Sequence, residues 1–210
     1  MLFGSLLLPA GAGAAEGRRR NVVEQGRLVW SEAGKRGIVL RGTWLFAPGV
    51  LLDPRTSAPA AANFRAVQVP GIWAETPGLA NEGCGTYQLV VTNVPSGAAL
   101  GLRLPFMASA ARVFANGREL FSAGTPALRP ADTIMSWRSG LVHLPPPDAA
   151  GVLRIVIQLA NSEYYKGGLH LAPVLGVFTE LYRNSRIQHA VEWFLTGSLF
   201  CIALYHLILF

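Results

Sequence analysis

Charge is scarce in this chain. Asp, Glu, Lys and Arg make up 14% of its 210 residues, where an ordinary soluble domain has about a quarter. Hydrophobic residues make up 51%, so the deficit points to a membrane or export segment. Lysine is nearly missing: Lys35 and Lys166 stand alone, and the other 16 of 18 basic residues are Arg. The net charge of +6 does not mark a nucleic-acid surface, because the one basic run, Arg18-Arg19-Arg20, has no aromatics interleaved for base stacking; no nucleic-acid partner is expected. Cysteine is limited to Cys84, in mid-chain, and Cys201, in a C-terminal apolar run. That separation argues against a disulfide, and no Cys-x-x-Cys pair occurs. His143, His170, His189 and His206 lack metal-ligand spacing, no phosphate-loop motif is present, and the acids are spread singly rather than as a pair proposed for glycoside hydrolysis. No catalytic residue, cofactor or metal is expected from these residues.

What is present falls into four stretches. Residues 1–15 (MLFGSLLLPAGAGAA) resemble a secretory signal peptide, with an apolar core and small residues at Ala12-Gly13-Ala14, though no Lys or Arg precedes the core. Residues 16–36 read as a polar linker, or a loose first strand around Leu28-Val29-Trp30. From Gly37 to about residue 182, short apolar stretches alternate with Pro, Gly and Asn punctuation, which predicts an all-β sandwich. Tyr87, Leu89 and Val91 share one face of a strand, as do Leu100, Leu102 and Leu104, and Leu153, Ile155, Ile157 and Leu159. Asn116-Gly117 supplies the positive φ angles of a type I′ turn, so Val113–Leu120 is a predicted hairpin.

The fourth stretch, 187–210, is a predicted transmembrane helix. Its apolar run from Ala190 to Phe210 is about 30 Å long at 1.5 Å per residue, the thickness of a hydrocarbon core. Glu192 and His206 within it are costly against lipid, which favours other helices or the interface as their surroundings. The lipid bilayer is thus an expected partner.

Aromatics in Pro- and Gly-bounded loops are the candidate ligand contacts. Trp73 follows Pro70-Gly71, Trp137-Arg138 lies in a long loop after the hairpin, and Asn161 and Tyr164 follow the Leu159 strand. Flat rings beside Arg and Asn donors suit a small carbohydrate-like ligand. Trp137, Arg138 and Tyr164 are expected in one pocket, with Trp73 as its floor.

The order of signals carries a resemblance. Gly42-Thr43-Trp44-Leu45-Phe46, Leu51-Leu52-Asp53-Pro54, Val69-Pro70-Gly71-Ile72-Trp73, Gly83-Cys84-Gly85-Thr86-Tyr87, Val113-Phe114-Ala115-Asn116-Gly117 and Ile157-Gln158-Leu159-Ala160-Asn161 follow one another as in the galactose-binding-like jelly roll of β-galactosidase-type hydrolases. Gly167-Gly168-Leu169 and Leu175-Gly176, then directly a membrane helix, make the chain similar to bacterial receptors with an extracytoplasmic β-sandwich, seven transmembrane helices and diverse intracellular signalling modules. The resemblance implies a periplasmic or external sensor domain on the inner membrane. It also implies a longer parent with further helices and an output domain such as a histidine kinase or cyclic-nucleotide synthase. The ligand is not named by it, and a homodimer is left open. The alternative is a carbohydrate-binding accessory module of a secreted or membrane-tethered glycoside hydrolase.

Overall fold

The structure is a computed structural model that describes residues 22–55 and 63–209. The signal-peptide-like stretch 1–15 lies outside the described residues.

Eleven strands among the described residues form two sheets: β1 (Arg27–Val29), β2 (Ile38–Val39), β3 (Gly42–Pro48), β4 (Arg65–Val69), β5 (Gly83–Thr92), β6 (Leu100–Ala108), β7 (Ala110–Ala115), β8 (Arg118–Ala123), β9 (Trp137–His143), β10 (Leu153–Asn161) and β11 (Val174–Val177). The large sheet runs β4-β3-β5-β10-β7-β8, with β1 also on β5; the small one runs β2-β11-β6-β9. Among the described residues one α-helix, α1 (Phe178–Leu209), follows β11 directly. The chain is therefore a two-sheet β-sandwich with a C-terminal helix.

The alternating strands turn their apolar sides to a shared core. Tyr87, Leu89 and Val91 of β5, Leu100, Leu102 and Leu104 of β6, and Leu153, Ile155, Ile157 and Leu159 of β10 are all buried. Each fully buried Leu or Ile contributes about 1.5–3 kcal/mol by leaving water. At the hairpin, Ala115 pairs with Arg118 across Asn116 (φ 45°) and Gly117 (φ 78°), the two positive φ angles that a type I′ turn needs.

Three stretches refine the sequence reading. Arg27–Val29, where the sequence leaves a linker or a loose first strand open, is a strand: it pairs in parallel with Val90–Thr92 of β5, burying Leu28 and Trp30; β3 takes the Gly85–Gln88 half of the same strand. The second face of β10 is solvated at Arg154 but not at Gln158, where the polar side chain implies it. Val156, Gln158 and Ala160 are buried because the segment after β3 crosses that face: Gln158 Nε2 donates to the Leu52 carbonyl (2.9 Å), and Thr86 Oγ1 to that of Val50 (2.7 Å). Finally, α1 starts at Phe178 and not at 187, so the last residues of the stretch read as sandwich and the polar ones after them form its first turns. Leu181 is buried there against Gly37 and Gly176, a contact that the surrounding Glu180, Arg183 and Arg186 conceal in the sequence.

Candidate functional site

The sequence-chosen residues separate into three groups. Trp73 opens a short 3-10 turn, but its ring is only 4% exposed. It packs on Phe46 (centroids 5.6 Å), and its Nε1 donates to the Tyr87 hydroxyl at 2.7 Å. That hydroxyl also accepts from the Leu169 amide (3.3 Å). Burial pushes the Tyr87 phenol up to about 12. Trp73 therefore plugs the core end and is not the floor of an open pocket.

Asn161 is fully buried and has an internal task. Its Nδ2 donates to the carbonyls of Asn81 (2.9 Å) and Tyr164 (2.7 Å), and its Oδ1 accepts from the Tyr164 amide (3.1 Å). Asn81 completes the clamp, accepting from the Gly167 amide (2.7 Å) and donating to the Tyr164 carbonyl (2.6 Å). Gly167 sits where the chains close: an added Cβ would lie 2.1 Å from the Asn81 carbonyl oxygen and 2.9 Å from the Trp73 ring. With its donors and acceptors so engaged, Asn161 shapes the loop and offers nothing to a ligand.

Trp137 and Tyr164 do meet, edge to face with centroids 5.5 Å apart. Trp137 begins β9, pairing with Ala108, and is not in a loop; the Trp-Arg-Ser-Gly start of this strand lacks apolar alternation, which hid it. Trp137 is 58% exposed and contacts Phe106, itself 45% exposed. Tyr164 continues the patch to Tyr165 (4.7 Å) and His170 (5.7 Å), and the Lys166 ammonium lies 5.0 Å from the Tyr165 ring. Hydrogen bonding between the two phenols, then to Lys166, holds Tyr165 below the usual phenol value, while the Tyr165 contact raises Tyr164. Burial lowers the His170 imidazole. Arg138 points the other way: its guanidinium lies over Phe121 (5.5 Å) and donates to the Ser122 carbonyl (3.1 Å). Odd and even residues of β9 face opposite sides, so Arg138 leaves the patch to which Trp137 belongs.

The outer face of the small sheet continues from Trp137 into a groove of about 420 Å³, lined by Arg103, Pro105, Ser139, Leu141 and Val174 with Ser185 of α1. Arg103 stands mid-sheet, paired in register with Leu141 on one side and Val174 on the other. Its outward direction follows from the alternation of Leu102 and Leu104; that Ser185 joins it depends on the helix and has no local sequence signal. Among the described residues no group of three or more His, Cys, Asp or Glu stands together to hold a metal.

No protein-family model matches the chain, and no curated protein matches it. Solved structures do. Two crystal structures of a glycosyl hydrolase family 2 member from Bacteroides cellulosilyticus align with TM-scores of 0.51 and 0.50 at 13% and 14% identity, each over 67% of this chain and 20% of the other. The β-glucuronidase of Faecalibacterium prausnitzii aligns with a TM-score of 0.47 at 18% identity, over 66% of this chain and 31% of that one. The chain thus spans between a fifth and a third of the length of these neighbours, and at such identities the likeness is one of fold: a β-sandwich domain within glycosyl hydrolases.

Proposed function

We propose that the chain is the membrane-tethered, extracytoplasmic ligand-sensing part of a signal-transduction receptor, built on a galactose-binding-like jelly roll. The observation that carries this reading is the junction. Strand β11 runs into α1 without a loop, Phe178 stacks on His143 of β9 (3.4 Å), and Leu181 is buried on Gly37 and Gly176. A shift of the small sheet is therefore passed to a helix that is long and apolar enough to cross a membrane. The groove between that sheet and α1 supplies the ligand position. Its volume falls within the ~300–1,000 Å³ of small-molecule sites. A guanidinium, two hydroxyls and aliphatic walls suit a carbohydrate-like molecule with a polar rim and an apolar ring face.

The test uses the full chain in phospholipid nanodiscs with a panel of neutral and acidic monosaccharides. Binding is expected to weaken in Arg103→Gln, and amide exchange over residues 178–186 is expected to slow on binding. Sugar binding unaffected by Arg103→Gln, or a panel with no binder, rejects the groove.

The second reading is a carbohydrate-binding accessory module of a tethered glycoside hydrolase, which the fold likeness favours. It predicts binding of the same ligand class with no change of exchange in 178–186.

A further inference from the structure

Helix α1 leaves the sandwich in a definite direction. Phe178 lies against Gly101, Leu181 against Gly176, which pairs with Gly101, and Ser185 joins the groove beside Arg103, Pro105 and Ala172. The helix thus advances over the small sheet in the sense in which β6 runs, from Gly101 toward Phe106. Five strand residues cover about 16 Å and the twelve helical residues from Phe178 to Ala190 about 18 Å. The apolar run consequently begins near the level of Phe106, and any tilt of the helix away from the sheet moves that level further into the run.

The same end of the sandwich gathers exposed apolar side chains. Phe106, Trp137 and Tyr165 are joined through ring contacts. Leu128 and Ile134 stand in the connection between β8 and β9, and Leu171 follows the loop that Asn161 shapes; all six are more than 40% exposed. Lys166 borders them. Trp and Tyr with a neighbouring cation at the level where a span begins is the composition of a membrane–water interface.

We propose that this end of the sandwich is a lipid-docking surface: Phe106, Leu128, Ile134, Trp137, Tyr165 and Leu171 seat in the headgroup region of the bilayer that α1 crosses, and the domain lies against the membrane instead of standing clear of it. The proposal rests on the reading of α1 as a span, and assigns the Trp137 patch to lipid, leaving the groove to the soluble ligand.

Single cysteines carrying an environment-sensitive fluorophore test it in the full chain, in a Cys201→Ser background where Cys84 is buried. Reconstitution is into phosphatidylcholine vesicles with or without nitroxide-labelled lipids. Labels at Leu128→Cys and Ile134→Cys are expected to shift to the blue and be quenched by nitroxides near the headgroup, whereas one at Val29→Cys is not. A label at Leu199→Cys, quenched by nitroxides at the bilayer centre, reports the span separately. Quenching at 199 without quenching at 128 and 134 overturns the docking surface alone. Absence of quenching at 199 overturns the span and the proposal with it. In a Trp193→Phe background, a tryptophan emission change caused by the soluble sugars but not by vesicles, and lost on further Trp137→Phe, makes the patch a ligand face and also overturns it.

Discussion

At the scale of single residues, the polar groups buried at the core end are committed to holding loops. Tyr87 is the clearest case, because one hydroxyl serves both Trp73 and Leu169. Tyr87→Phe leaves the indole N–H and the Leu169 amide without that acceptor, and each buried unmet donor costs about 1–3 kcal/mol. The mutant is expected to unfold at lower denaturant. The same residue sets an alkaline limit. Its phenol titrates near 12 in the fold against 10 for the unfolded chain, so above pH 10 the unfolded state loses its proton first. Stability from Tyr87 is complete below pH 10 and falls as the pH rises toward 12, by about 2–3 kcal/mol at 1.36 kcal/mol per unit. Chemical denaturation across pH 9–12 should show this loss in the wild type and a flatter limb in Tyr87→Phe. Asn161→Ala removes three hydrogen bonds at once and is expected to cost about 2–4 kcal/mol, while also freeing the loop that holds Tyr164; a thermal melt with the wild-type midpoint would show that Asn161 has no such task.

At the scale of elements, the hairpin is the part most fully legible. Gly117 takes φ 78° at its tip, and a β-branched residue there is strained, so Gly117→Val should lower stability by about 1–2 kcal/mol. Unchanged denaturation of that variant would contradict the turn. Strands with one apolar face could be read because period-two alternation needs nothing beyond the chain itself; β5, β6 and β10 are of that kind. What could not be read depends on partners distant in sequence. For β1 the sequence leaves a linker and a loose first strand both open, and it is the pairing with Val90–Thr92 that decides for the strand. β9 has Gly140 under the Phe121 ring, where an alternation rule looks for a large side chain. The first turns of α1 carry Glu180, Arg183 and Arg186 on one face, and the contacts of Phe178 and Leu181 on the opposite side are matched by glycines from other elements. The candidate site was legible to the same degree. Trp137 and Tyr164 are in contact, though Trp137 starts β9 and not a loop; Trp73 and Asn161, the latter ending β10, went inward because position in sequence does not report burial. Arg138 turned away because it lies in a strand and alternates with Trp137.

At the scale of the whole molecule, the loop-free junction of β11 with α1 and the proposed span make orientation a measurable property. The proposed receptor reading puts the sandwich outside the cytoplasm. Arg183 and Arg186 stand on the sandwich side of the apolar run and pull against this arrangement, since basic residues flanking a span favour the cytoplasmic side; Arg183 is held in an ion pair with Glu180 one turn earlier, but acids weigh little in that rule. The two influences oppose each other, so the orientation calls for a direct reading. A cysteine at Val29, exposed on β1 and far from the proposed lipid-docking end, serves as the probe in the Cys201→Ser background. In spheroplasts expressing the chain, a membrane-impermeant maleimide is expected to label Val29→Cys fully before lysis, with Leu199→Cys protected by the bilayer in the same cells. Labelling of position 29 only after lysis would put the sandwich in the cytoplasm and remove the extracytoplasmic sensor, while leaving the fold, the groove and the junction as they are.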